Sequence, residues 1–215
     1  VSHEISGLYA VTPDVSDTPA LLAAAEAALA GGARLLQYRN KSATSALRFA
    51  QARALLALCR KLRVPLIIND HIDLALAVDA DGLHLGAEDG SLAAARERLG
   101  TARILGASCH DRLDHALEAE RLGADYVAFG SFFPSSVKPG AVCAPPALLR
   151  NAKRQLAAPV VAIGGITLDN APQLIAAGAD SVAVITALFG AADVKLAARR
   201  FSALFSRREL ETRAS

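Results

Sequence analysis

One phrase is used twice in this chain: ERLGADYV (residues 120–127) returns as IAAGADSV (175–182). Each reads as a helix that stops at a glycine and a strand that starts at once, because glycine takes the left-handed helix stop at no steric cost. Gly31-Gly32 and Gly100 punctuate the chain in the same way. Between such stops, short β-branched or apolar runs alternate with longer alanine-rich stretches of helical period. The pattern predicts strands over 7–11, 33–39, 64–69, 81–85, 102–108, 125–130, 159–164 and 180–185. Helices are expected near 18–30, 44–62, 71–78, 91–99, 111–122, 146–156, 168–177 and 193–208. Eight strands, each followed by a helix, is the count of a closed (β/α)8 TIM barrel. A doubly wound open sheet is the main alternative, but no dinucleotide fingerprint follows the first strand. No linker or composition shift divides the chain, so residues 1–215 are expected to form a single barrel domain, with SRRELETRAS as a frayed helix end.

Composition narrows the function classes. The chain is 53% hydrophobic and 20% charged, which suits a packed core and argues against disorder. A formal net charge of +2 is too near neutral for a nucleic-acid binder. The three cysteines, Cys59, Cys109 and Cys143, are odd in number and lack a Cys-x-x-Cys spacing, so neither a disulfide framework nor a zinc site is expected. VSHEISGLYA lacks a basic region followed by a long apolar run, and no apolar stretch is long enough to span a bilayer. The expectation is a cytoplasmic protein with no membrane or nucleic-acid partner, compatible with a homo-oligomer.

Barrel sites lie at the C-terminal ends of the strands, and the unusual polar residues fall there. LLQYRNK (35–41) begins as a greasy strand and then places Gln37, Arg39 and Lys41 two apart. Residues two apart share a strand face, so these point one way with Leu35, while Leu36, Tyr38 and Asn40 point the other. Strand three ends in Asn69-Asp70, strand four leads to Glu88 and Asp89, and strand five ends in Ser108. GSFFPSSVKPG (130–140) follows strand six, Gly164-Gly165 strand seven and Thr186 strand eight. Asp70 and Asp89 come from neighbouring strands. Two carboxylates near cations suit a hard metal such as Mg²⁺ shared with phosphate oxygens; each can equally cap the helix that follows it. AIGGITLDN (162–170) can bring backbone N–H groups and a helix N-terminus to a phosphate. His84 alternates with Gly82 and Gly86 and reads as a satisfied core histidine. Cys109 and His110 are adjacent on a strand and so face opposite ways, which argues against a nucleophile pair. Cys59 reads as core.

These mouth segments, QYRNK, IINDH, GLHLGAED, GAS, FPSSVKPG, AIGGI and GADSVAVITALF, stand in the order found in thiamine phosphate synthases, and the chain resembles that family from LYAVTPD to ALF. The resemblance implies a (β/α)8 barrel that joins 4-amino-2-methyl-5-hydroxymethylpyrimidine pyrophosphate to 4-methyl-5-(2-hydroxyethyl)thiazole phosphate, two small phosphorylated substrates, giving thiamine phosphate and pyrophosphate. It implies that Gln37, Arg39, Lys41, Asn69 and Lys138 hold the pyrimidine pyrophosphate, with Tyr38 and Asn40 of the same segment as further residues binding that substrate. It places Mg²⁺ on Asp70 and Asp89, and the pyrimidine against Ser108. The thiazole phosphate falls to Ser135, Ser136, Val137, Gly164, Gly165, Ile185 and Thr186. Arg39, Lys41, Ser108 and Lys138 would act in catalysis. In the family's mechanism the C–O bond breaks first and the thiazole nitrogen captures the cation, so charge grows on the leaving pyrophosphate. The family usually reads T-x-T-K after FP; Val137 here lacks the second hydroxyl, and Thr186 replaces a serine. An isomerase of a thiazole phosphate needs no pyrophosphate clamp, and a mere phosphate binder needs no paired carboxylates. A Schiff-base lysine would sit within a strand, whereas Lys41 and Lys138 lie in loops. SSVKPGAVCAPP (135–146) is the expected lid.

Overall fold

Strand residues alternate between two separate apolar layers, which is why the strands read as unbroken hydrophobic runs. Leu35, Tyr9, Ile67, Ile104, Tyr126, Val161 and Ala183 pack with one another in the barrel interior. Leu8, Leu36, Ile68, Leu83, Leu105, Val127 and Val182 face the helices instead. Each large side chain buried in these layers contributes about 1.5–3 kcal/mol.

The computed structural model describes residues 5–86, 88–134 and 143–213, with side chains up to 206. The strands are β1 (Gly7–Val11), β2 (Leu35–Tyr38), β3 (Leu66–Asn69), β4 (Gly82–Leu85), β5 (Ile104–His110), β6 (Tyr126–Phe129), β7 (Val160–Ile163) and β8 (Ser181–Val184). They pair in parallel and in sequence order, and β8 closes onto β1 with Gly7 opposite Ser181. The helices among the described residues are α1 (Thr18–Ala30), α2 (Ser45–Leu62), α3 (Ile72–Val78), α4 (Leu92–Leu99), α5 (Leu113–Arg121), α6 (Ala147–Gln155), α7 (Ala171–Ala176), α8 (Thr186–Phe189) and α9 (Val194–Arg213). None is long and apolar enough to cross a membrane.

The expected barrel is therefore the observed one, with local differences, among them a β5 that runs on to His110 and an α9 that continues through Arg213 where a frayed end was expected. Thr186 opens the short helix α8 rather than a plain loop. Helix α7 begins at Ala171 instead of 168. The stops after α2 and α3 are left-handed without glycine, at Arg63 (φ 57°) and Asp79 (φ 59°).

The repeated phrase has a structural use beyond its glycine. Asp125 and Asp180 each accept a hydrogen bond from the backbone N–H at the start of the preceding strand, from Leu105 and Val160, both at 2.7 Å. Asp81 does the same for Leu66 at 2.8 Å. The aspartate of each such strand start thus ties two neighbouring strands at the bottom of the barrel. Ile5 is buried in the interior layer. At the opposite end the interior positions turn polar: Gln37, His84 and Ser108 stand where the bottom has Leu35, Ile67 and Ile104.

Candidate active site

The mouth holds a cavity of about 650 Å³ at the C-terminal ends of the strands. Its first wall is built from β1 and β2. Beyond the regular ladder, the buried Thr12 hydroxyl donates to the carbonyl of Arg39 and accepts from the N–H of Arg39, both at 2.9 Å. That brace holds the chain extended past β2, so Arg39 and Lys41 remain on the cavity side with Gln37. Asp14, in the loop after β1, then accepts from the Arg39 guanidinium Nη1 at 3.2 Å and from the Lys41 backbone N–H at 2.9 Å. Tyr38 and Asn40, proposed from the sequence as substrate residues, are turned away from this cavity. The Tyr38 hydroxyl donates to Gln51 Oε1 at 2.7 Å, and Asn40 Nδ2 donates to Gln51 Oε1 and the carbonyl of Val15. The two-residue period sends their side chains to α2.

The second wall carries the carboxylates. Asp70 sits at φ 63°, a left-handed position that favours residues such as Asp and Asn among non-glycines. Its side chain does not cap α3; it lies 3.7 Å from Lys41 Nζ through Oδ2. Asp89 does not cap α4 either, since Ser91 does that; Asp89 Oδ2 accepts from the Gly86 N–H at 2.9 Å. The Asp70 carboxyl is pushed above its ordinary pKa, first by burial and then by the hydrogen bond and charge of Asp89 beside it, against a smaller opposing pull from Lys41. The two carboxylates are therefore neighbours. Asn69, the last residue of β3, also lines the cavity.

The floor is a chain of buried polar groups. Gln37 Nε2 donates to Tyr9 Oη at 2.8 Å, and Tyr9 Oη lies 2.8 Å from Tyr126 Oη. Tyr126 Oη lies 2.9 Å from His84 Nδ1, and His84 Nε2 lies 2.8 Å from Ser108 Oγ. The His84 and Tyr126 rings stack with centroids 5.6 Å apart. Gly106 makes room for this, because a Cβ there would stand 2.1 Å from the Tyr126 ring. Burial pulls the His84 imidazole down to about 4, against a weaker upward pull from Asp89. A folded pKa below the unfolded 6.5 means that stability from this group is full above about pH 6.5 and is lost as pH falls toward 4. His84→Gln is expected to flatten the fall in stability between those values, checked by urea midpoints at pH 7 and pH 5; an unchanged slope would remove His84 as the cause. His84 was expected as a satisfied core residue, and both its ring nitrogens are indeed partnered, although it also lines the cavity.

Beyond Ser108, β5 carries a register shift between Ser108 and His110. His110 lines the cavity, while Cys109 is buried behind the strand and its thiol is pushed up to about 12 by burial. The two face opposite ways, as the strand period requires.

The third wall joins the loops after β6, β7 and β8. The Ser131 hydroxyl donates to the carbonyl of Phe133 at 2.7 Å, and the Phe133 N–H donates to the carbonyl of Gly164 at 3.1 Å. Gly165 (φ 65°) lies so close to this segment that a Cβ would stand 2.6 Å from the carbonyl oxygens of Phe133 and Pro134. Asn170 fixes the turn by donating to the Gly165 carbonyl at 3.0 Å and accepting from the Thr167 N–H at 2.8 Å. Gly164, Gly165, Ile185 and Thr186 all line the cavity. Ser135, Ser136, Val137 and Lys138 lie outside the described residues, as does most of the expected lid.

Four contributors were missed in the sequence: Thr12, Asp14, Tyr9 and Tyr126. TPD directly follows the first strand, the place where barrel loops carry function, so Asp14 had a usable signal. Asp14→Ala is expected to raise KM for an anionic substrate and to lower kcat, together several-fold in kcat/KM, because Arg39 would lose the partner that holds it in place. Steady-state kinetics checks this, and an unchanged kcat/KM would show that Arg39 needs no tether.

The model of the family described as thiamine monophosphate synthase matches residues 8–188. The thiamine-phosphate synthase of Methylobacillus flagellatus is 58% identical over 94% of this chain and 96% of its own length. That of Nitrosomonas eutropha is 56% identical over 94% of this chain and 95% of its own. A solved thiamine phosphate pyrophosphorylase from Pyrococcus furiosus superposes with a TM-score of 0.84 at 36% identity, covering 95% of this chain and 97% of that one. The chain belongs to the thiamine monophosphate synthase family and is a transferase of thiamine biosynthesis.

Proposed function

We propose that the mouth cavity binds the pyrimidine pyrophosphate along Gln37, Arg39, Lys41, Asn69 and Ser108, and the thiazole phosphate against Gly164, Gly165, Ile185 and Thr186. Ser135, Ser136, Val137 and Lys138 complete the two subsites in this reading. The observation that carries it is the meeting of Arg39 and Lys41 with two adjacent carboxylates over a neutral floor, with the Lys41 ammonium 3.7 Å from Asp70.

Asp70 and Asp89 would hold Mg²⁺. The fit rests on the raised Asp70 pKa: burial and a second carboxylate disfavour its charge, and a divalent cation reverses that penalty. Mg²⁺ commonly binds through one or two carboxylates and completes its shell with water and substrate oxygens. When bound, the ion supplies positive charge to the pyrophosphate oxygens.

The chain's own residues then have separable tasks. Arg39 and Lys41 offer fixed positive charge where the leaving pyrophosphate gains negative charge, and groups set in place beforehand need no reorganisation as the bond breaks. Gln37 and Ser108 orient the pyrimidine from below. The two stitched glycines bring backbone to the thiazole phosphate. Bond cleavage before capture requires no side-chain nucleophile, in keeping with a Cys109 thiol turned out of the cavity. We place the reaction in the cytoplasm, in line with the free, buried thiols of Cys59 and Cys109. Purified protein incubated with both substrates should form thiamine phosphate and pyrophosphate when Mg²⁺ is added. Absence of product with and without the metal would sink the assignment.

A further inference from the structure

The five side chains under the cavity are joined end to end, and their hydrogens can be counted. Gln37 Nε2 donates to Tyr9 Oη, so the Tyr9 oxygen is used as an acceptor. Among the described residues the Tyr9 proton has one remaining partner, Tyr126 Oη at 2.8 Å. Tyr9 is fully buried, and no buried side-chain polar atom among the described residues is left unpartnered. Tyr126 then holds a proton with one place to go, His84 Nδ1 at 2.9 Å. An imidazole that accepts at Nδ1 carries its hydrogen on Nε2, which faces Ser108 Oγ at 2.8 Å. A hydrogen on both ring nitrogens would set two hydrogens against each other between His84 and Tyr126. Ser108 Oγ thereby accepts from His84, and its own proton is free to point into the cavity.

We propose that Gln37, Tyr9, Tyr126, His84 and Ser108 form a one-way hydrogen-bond chain in which Tyr126 is a positioning residue: it fixes the His84 tautomer and so frees the Ser108 hydroxyl hydrogen to donate to the bound ring. The chain begins and ends at residues that meet the same substrate, so it links two of its contacts through the floor of the barrel. A ring that presents an acceptor to Ser108 is favoured over one that presents none, because the hydroxyl hydrogen is left free to meet it. This specificity rests on the reading that the pyrimidine sits on Ser108; the tautomer itself does not.

The test uses Tyr126→Phe, which keeps the ring stacked on His84 and removes only the hydroxyl. In ¹⁵N-histidine-labelled wild type, the His84 signals should show a bare Nδ1 and a protonated Nε2. In Tyr126→Phe they should move toward a mixture of tautomers. A protonated Nδ1 in the wild type overturns the proposal, and that result needs no variant to fold. An unchanged tautomer in a folded Tyr126→Phe overturns it as well. In kinetics, the variant should lose roughly tenfold in kcat/KM for the pyrimidine pyrophosphate, the worth of one neutral hydrogen bond, with KM for the thiazole phosphate unmoved. An equal loss on both substrates would mean a general structural defect and overturn the positioning role. If the wild type makes no thiamine phosphate, the functional reading fails while the labelled spectra still decide the tautomer.

Discussion

Asp70→Asn is expected to lower turnover by about 10²–10³-fold, the scale of losing one preorganised charge at a transition state, while leaving the protein as stable as before or more so. The two halves of this expectation come from the same observation. The Asp70 pKa is raised by burial and by Asp89, so the folded state binds this proton more tightly than the unfolded state. Stability from the group is therefore present below its ordinary pKa and is lost as pH rises through the folded value. At neutral pH the charged carboxylate is a standing cost, and a neutral amide removes it. Asparagine also tolerates the left-handed backbone at φ 63°, and the Lys41 partner is too exposed for its loss to matter much. A residue kept at a cost to stability fits a group retained for a ligand. Thermal midpoint and kcat at saturating Mg²⁺ measure both halves. Undiminished turnover would take Asp70 out of the proposed metal site, and a large drop in midpoint would make it a structural residue instead.

What the sequence made legible follows from which signals are periodic. Strand parity is a period of two, so Leu35, Gln37, Arg39 and Lys41 could be placed on one side and Tyr38 on the other before any coordinates. The same parity turns the side chains of Tyr38 and Asn40 toward Gln51 on α2. The glycine stops were legible where glycine makes them, but Arg63 and Asp79 adopt the same left-handed turn with no sequence mark. The floor was hidden for another reason. Tyr9 and Tyr126 are ordinary strand residues in composition, and only the closure of the barrel brings residues 117 apart into one hydrogen bond. Asp14 lies 25 residues from Arg39 in the chain, and its role depends on how the loop after β1 folds over the end of β2.

Gly165→Ala is expected to cost roughly 2–4 kcal/mol, the range of substitutions that strain a special backbone position, and to raise KM for the thiazole phosphate. Two penalties add here. A side chain at φ 65° costs about 1–2 kcal/mol, and the new Cβ would stand 2.6 Å from two carbonyl oxygens, those of Phe133 and Pro134. A backbone oxygen cannot swing aside as a side chain can, so the segment after β6 must move away from the loop after β7. That movement breaks the hydrogen bond from the Phe133 N–H to the Gly164 carbonyl, which holds the two loops as one wall. Gly100→Ala separates the two terms. Gly100 also has a positive φ, 70° with ψ −171°, but nothing lies within 4 Å of where its Cβ would be. It should therefore lose only the backbone term, and its KM should stay at the wild-type value. The sequence reading gave Gly164-Gly165 to the phosphate, yet the contacts give the absent Cβ of Gly165 a second reason: the loops after β6 and β7 can close on each other only without it. Equal losses in Gly165→Ala and Gly100→Ala, by thermal midpoint and by KM, would show that the wall tolerates the Cβ and that Gly165 serves the phosphate alone.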